Sequence, residues 1–342
     1  MGACVALAVA CGGTSAPDET GPAPSDTTST PPPSSPPAST GTSMPAPTSA
    51  PTTPGPTPEP PLTATACFKA LSGKVPGPDY DKFKPVIAKS CSGTSHQKIT
   101  GIEKLVFLGD SVTTGTPPSL PNEIYRTRVA EGVKARFGAG IEIADCSKWG
   151  ARTDDYLEGG NQIGQCFPTG VESKKTLVVM TMGGNDIAAW AKDKLSTADA
   201  KVQADLAADR LKAAIDWMQA PGRFTKGVNI VFANIYEYTD TSGDLASCPA
   251  SSLAGMSGSW AQGTPAIVHF LERYMQIATQ TKTDMIFLME TFCGHGYKRN
   301  DPSLQCYRGP GAELWFDLTC IHPTPKGHEQ ISKLFLSVID GK

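Results

Sequence analysis

Five short runs rich in Val, Ile, Leu, Phe or Met, at 105–110, 141–145, 176–182, 229–235 and 284–290, recur along this chain. Helical stretches lie between them, near 121–137, 152–158, 200–219 and 264–281. Short runs of this kind, continuous in apolar residues, read as parallel strands buried on both faces. Their alternation with helices predicts an α/β domain built on a mostly parallel sheet covered on two sides. A last helix is expected after Pro325, where Ile331, Leu334, Phe335 and Val338 fall on one apolar stripe.

Five strands suit the order 2-1-3-4-5 of a flavodoxin-like, three-layer α/β/α sandwich, whose switch point lies beside the first strand. That strand, Leu105-Val106-Phe107-Leu108, runs straight into Gly109-Asp110-Ser111. Ser111 is thereby expected at the mouth of the sheet, in the crevice where such folds bind ligands. Two long connections leave strand C-termini: 238–263, rich in Ser, Gly and Ala, and 293–316, which carries Cys293-Gly294-His295-Gly296 and Cys306. Loops of this length without regular structure are usually functional. Both are expected to wall the site.

The N-terminal part has a different character. Residues 1–11, Met1 to Cys11, are small and apolar and end in Ala8-Val9-Ala10-Cys11, the pattern of a signal segment closing on a bacterial lipobox. Residues 12–66 hold 16 of the 30 prolines, many Ser and Thr, and no Lys, Arg or aromatic residue. Such a stretch buries too little apolar surface to offset its ordering entropy, and as polyproline II it reaches roughly 170 Å. It reads as a tether between a lipid anchor at Cys11 and a globular domain spanning 67–342. An exported protein of the bacterial envelope, lipid-anchored or released, is the expectation, with membrane contact only through that anchor.

Charge excludes other classes. The tether carries four acidic residues, and the remainder of the chain, net charge −3 as a whole, is close to neutral. No basic surface for nucleic acid and no steering of a highly charged substrate is expected. Eight cysteines lie in the globular part: Cys67, Cys91, Cys146, Cys166, Cys248, Cys293, Cys306 and Cys320. An even number behind an export signal points to disulfides, and no CxxC pair supports a metal site. Cys67–Cys91 and Cys146–Cys166 are expected as local loops, with the other four stapling the active-site edge.

Three further motifs give Gly109-Asp110-Ser111 its weight. Gly150 follows the second strand, in Ser147-Lys148-Trp149-Gly150; Gly183-Gly184-Asn185-Asp186 follows the third; His322-Pro323 precedes the last helix. Order and placement together resemble the SGNH (GDSL) hydrolase superfamily, with Ser111, Gly150, Asn185 and His322 at its four named positions. The resemblance implies an esterase or lipase that forms an acyl-serine intermediate and uses neither metal nor organic cofactor. It implies an oxyanion hole from the Ser111 N–H, the Gly150 N–H and the Asn185 amide. Substrates would be small-molecule, lipid or carbohydrate esters, and a monomer suffices. The chemistry agrees, because a serine hydroxyl needs a base within hydrogen-bond reach and neutral imidazole supplies one.

The acid of the site departs from the family pattern. An Asp usually stands three residues before the histidine, where this chain has Thr319, and Asp317 stands five before. A widened loop would aim Asp317 at the imidazole Nδ1; the alternative is a Ser–His dyad. Asp110 reads as a structural hydrogen-bonder, His328 as a packed helix residue, and Asp154 and Asp155 as an exposed helical turn. His295, Trp149 and Arg152 lie where substrate contact is conceivable. An acyltransferase on the same scaffold and a non-catalytic surface lipoprotein are the rival functions.

Overall fold

The computed structural model describes residues 61–69, 71 and 77–342. The signal-like segment 1–11 and nearly all of the tether lie outside them. The folded unit begins before Cys67: helix α1 (Ala64–Cys67) is capped by the Thr63 hydroxyl, and the Asp81 carboxylate accepts from the N–H groups of Ala64 and Thr65. Ala64 is fully buried.

The sheet is β1 (Lys104–Gly109), β2 (Glu142–Asp145), β3 (Thr176–Thr181), β4 (Val228–Ala233) and β5 (Asp284–Ile286). Every pairing is parallel and the order is β2-β1-β3-β4-β5, as the sequence pattern requires. β1 and β3 are buried at all six positions, because helices cover both faces. β2 lies at the edge and is largely exposed. The fifth run ends sooner than expected: residues 288–292 form a helix, α8 (Leu288–Phe292). The cause is tertiary, since Asn234 Oδ1 accepts from the N–H groups of Leu288 and Met289 at 2.7 and 2.9 Å.

The other helices are α2 (Ser111–Thr114), α3 (Tyr125–Phe137), α4 (Gln162–Cys166), α5 (Gly184–Lys192), α6 (Thr197–Gln219), α7 (Thr264–Thr281) and α9 (Pro325–Asp340). The helix expected at 152–158 is a 3₁₀ turn, Thr153–Tyr156, and α5 stands where no helix was predicted. Right-handed crossovers put α3, between β1 and β2, on one face, and α6 and α7, between strands running the other way across the sheet, on the opposite face. α9 returns to pack on α3, and α6 packs on α7. α9 is set by its sequence: Thr324 caps Gly327 N–H, Pro325 occupies the first turn, and Gly341 ends it in a left-handed conformation. Its buried stripe includes Ile331, Leu334, Phe335 and Val338.

Among the described residues, four disulfides join Cys67–Cys91, Cys146–Cys166, Cys248–Cys320 and Cys293–Cys306. The two local loops are those expected, and the other pairs tie the long connections.

His328 is wholly buried, stacked on Tyr125, with Nε2 unpartnered. Burial, reinforced by the His322 and Arg128 charges, pushes its pKa down to about 3. A histidine with a depressed folded pKa stabilises the fold fully above the ordinary value and loses that contribution as pH falls. The expected cost of acidification to about pH 4 is on the order of 3 kcal/mol. His328→Gln, which does not titrate, is expected to be the less stable protein at pH 8, with the gap in melting temperature to wild type closing toward pH 4. A gap independent of pH would contradict this assignment.

Candidate active site

The site is assembled at the C-terminal ends of β1, β2, β3 and β4. Gly109 ends β1 at φ +151°, and a Cβ there would lie 2.5 Å from both Thr113 Oγ1 and the Thr181 carbonyl. Only glycine fits. The Gln162 side chain grips this residue from both sides, accepting from its N–H and donating to its C=O, each at 2.8 Å. Asp110 follows as the N-cap of α2, accepting from Val112 N–H at 3.0 Å and from the Thr181 hydroxyl at 3.3 Å. Burial pushes its carboxyl up to about 7, with those hydrogen bonds partly offsetting the shift. Asp110 therefore holds the turn, and Ser111 opens the helix.

Ser111 Oγ lies 2.9 Å from His322 Nε2. The histidine sits on a tight loop closed by the Phe316–Pro323 bridge, by Asp317 N–H donating to the His322 carbonyl, and by Cys320 N–H donating to the Asp317 carbonyl. The Tyr236 and Tyr297 hydroxyls donate to the carbonyls of Ile321 and Asp317. Cys320, at φ +74°, is fixed through its disulfide to Cys248. Burial holds the His322 pKa below the ordinary value, and the Asp317 charge partly offsets this. The imidazole is then neutral at neutral pH, as a general base must be.

The contact expected between Asp317 and Nδ1 is not made. Nδ1 meets Thr319 Oγ1 at 2.7 Å, and Thr319 Oγ1 in turn donates to Asp317 Oδ1 at 2.5 Å. The reason is local. Asp317 Oδ1 also accepts from Thr319 N–H at 2.8 Å, so the carboxylate turns back on its own loop as an Asx turn and the threonine hydroxyl faces the ring.

Gly150 and Asn185 come from the ends of β2 and β3. Gly150 has φ +75° and open space where a Cβ would lie, so glycine serves the backbone conformation there. Asn185 Nδ2 donates to the Ala151 carbonyl at 2.9 Å, which joins α5 to the Gly150 loop and leaves its second amide hydrogen free to serve a ligand. Asp186 strengthens the same link, accepting from Thr153 N–H and hydroxyl at 3.1 and 3.0 Å; burial raises its carboxyl to about 6. Among the described residues, the Ser111 and Gly150 N–H groups have no hydrogen-bond partner. Asn185→Ala is expected to cut turnover on the order of 10²–10³-fold with the fold kept, since one preformed donor is lost. Circular dichroism beside steady-state kinetics checks both halves.

A cavity of about 130 Å³ opens at Ser111 and Asn185. Ile187, Ile235, Met256, Trp260, Ile267 and Leu271 give it an apolar lining, and both long connections contribute to its wall as expected. His295 is not among its lining residues: its ring stacks on Trp315 at 3.4 Å and Nδ1 pairs with the Glu313 carbonyl. Trp149 and Arg152 are exposed and also lie outside it. Asp155 is occupied structurally, accepting from Arg152 N–H and Gly160 N–H. Among the described residues, no group of three His, Cys, Asp or Glu side chains is placed to hold a metal ion, and no helix is long and apolar enough to cross a membrane.

Two residues of this site were not singled out from the sequence. Thr319 was marked only by the place it occupies, three before the histidine. Gln162 carries no local signal, because its role depends on a partner 53 positions away.

The sequence profile of the GDSL-like lipase/acylhydrolase family matches residues 107–330. Similar solved structures include phospholipase A1 from Streptomyces albidoflavus, 17% identical, covering 68% of this chain and 98% of that one at a TM-score of 0.45. They also include the lipase/acylhydrolase from Enterococcus faecalis, 15% identical, covering 70% and 96% at 0.45. An extracellular lipase from Streptomyces rimosus is 19% identical, covering 69% and 99% at 0.40. No curated protein matches by sequence.

Proposed function

Since the chain belongs to the GDSL-like lipase/acylhydrolase family, we propose that it hydrolyses carboxylic esters through an acyl intermediate on Ser111. The observation that carries this reading is the 2.9 Å contact between Ser111 Oγ and a neutral, half-buried His322 at the mouth of an apolar cavity. His322 Nε2 takes the hydroxyl proton as Oγ attacks the ester carbonyl. The Ser111 and Gly150 N–H groups and the Asn185 amide receive the charge that develops on the carbonyl oxygen. On collapse, His322 returns the proton to the departing alcohol. Water, activated by the same imidazole, then releases the acid. The apolar lining suits the acyl side of an ester better than a charged or sugar group.

Localisation follows from the same reading. Four disulfides support a working place outside the reducing cytosol. Attachment through Cys11, with a monomeric domain at the end of the tether, completes the proposal.

The test uses the full-length protein, a fluorophosphonate probe and p-nitrophenyl esters of rising chain length. One adduct per chain, mapped by peptide mass to Ser111, with turnover favouring apolar acyl groups, is expected. A folded protein that neither labels nor turns over any ester would overturn the reading.

A further inference from the structure

We propose that Thr319 is a positioning residue that couples His322 to Asp317, so that a hydroxyl and a carboxylate in series orient the base. The inference rests on the serine-hydrolase reading for its catalytic meaning, although the hydrogen-bond chain itself stands on geometry alone.

The chain has one direction. Asp317 Oδ1 is an acceptor only and already takes the Thr319 N–H at 2.8 Å. The single proton of the Thr319 hydroxyl therefore points to that oxygen, 2.5 Å away. A hydroxyl that spends its proton on the carboxylate presents a lone pair to Nδ1 at 2.7 Å. Nδ1 must then carry the hydrogen. Nε2 is left with its lone pair toward Ser111 Oγ, the tautomer a general base needs. Ser111, His322 and Thr319 thus each donate to the next group in one line, which ends on the accepting carboxylate of Asp317.

The surroundings support the assignment. Asp317 is buried and its second oxygen has no partner, so all of its described side-chain hydrogen bonding goes to Thr319. Asp110, the carboxylate beside Ser111, is taken up by the Val112 N–H and the Thr181 hydroxyl. His328 on α9 is neutral, and Tyr236 and Tyr297 are phenols engaged with loop carbonyls. Among the described residues, Asp317 supplies the charge that favours the protonated His322 ring. It reaches the ring only through the threonine. Thr319 itself is exposed, so it can be replaced without opening the core.

Three variants of the full-length protein test the link: Thr319→Val, Thr319→Ser and Asp317→Asn, with the Thr319→Val/Asp317→Asn double. Each is measured for kcat/KM against pH and by ¹⁵N NMR of the His322 ring. Thr319→Val is expected to lose about 10²-fold in kcat/KM, the low end of what a correctly held base contributes. Its acid limb moves to lower pH, because the imidazolium loses its tie to the carboxylate. Thr319→Ser keeps the hydroxyl and restores both. In the Thr319→Val background, Asp317→Asn costs little more, since the line is already cut. The ring nitrogens report the Nδ1–H tautomer in wild type and a mixture in Thr319→Val, and this readout holds whether or not any ester is cleaved. Wild-type tautomer and pH profile in Thr319→Val would overturn the proposal, as would full additivity in the double variant. Loss of probe labelling in wild type, with the Nδ1–H tautomer intact, would instead count against the hydrolase reading alone.

Discussion

Ser111→Ala is expected to lower turnover by a factor on the order of 10⁴ or more and to abolish fluorophosphonate labelling, while the melting temperature barely moves. The two halves have different causes. Among the described residues, the only side-chain partner of Ser111 Oγ is His322 Nε2, so the change removes the proposed nucleophile and unpairs one nitrogen beside an open cavity. The turn does not depend on that hydroxyl. Gly109 is held by Gln162, and Asp110 caps α2. A nearby structural residue would behave the opposite way, losing stability before chemistry. Steady-state kinetics beside differential scanning calorimetry separates the outcomes, and an alanine variant that still turned over at a tenth of the wild-type rate would remove Ser111 from the mechanism.

The second large effect belongs to a disulfide. Cys248–Cys320 spans 72 residues and ties the wall segment after β4 to the loop that carries Thr319 and His322. Releasing a loop of that length is expected to cost about 4 kcal/mol of stability on the chain-entropy account. Turnover should also fall, because Cys320 lies two residues before the base and holds a left-handed turn there. The Cys248→Ser/Cys320→Ser double variant tests both at once. Cys67→Ser/Cys91→Ser is its control. That bridge closes 24 residues near α1, so stability is expected to drop by about 3 kcal/mol with the surviving folded protein keeping its turnover. Denaturant titration and kcat, measured on wild type and the two double variants under non-reducing conditions, decide the matter. Equal loss of turnover in the two double variants would mean that the bridges act only on overall stability.

The sequence was most informative where local pattern and tertiary role coincide. The continuous runs in β1 and β3 are apolar because both faces are covered, so their burial follows from composition, and their order follows from the five-strand α/β pattern. The stripe of α9 was legible for the same reason. Misreadings arose where a distant partner decides local structure. Residues 287–289 continue an apolar run, yet Asn234 claims the amides of Leu288 and Met289 and turns the segment into a helix. No helix was predicted at Gly184-Asn185-Asp186, where Asp186 is anchored on Thr153 and the chain winds on as α5. Within the site, Ser111 and His322 were chosen from motif order, and the structure brings them into contact. Asp317 was chosen as the nearest carboxylate. The preference of that carboxylate for its own loop's amide is a local effect, and the threonine three residues before the histidine was the clue to it.

The distance along the chain between the two groups in contact has a further consequence. Ser111 and His322 are 211 residues apart, and the helix that follows the histidine packs on the helix that follows the serine. A ribosome adding about 5–20 residues per second exposes the serine roughly 10–40 s before its base has been made. During that interval the growing chain carries a serine with no imidazole beside it, and an unassisted alcohol is a poor nucleophile. Under the proposed mechanism the nascent polypeptide is therefore inert toward the esters of the cell that makes it, and competence arrives only when α9 docks.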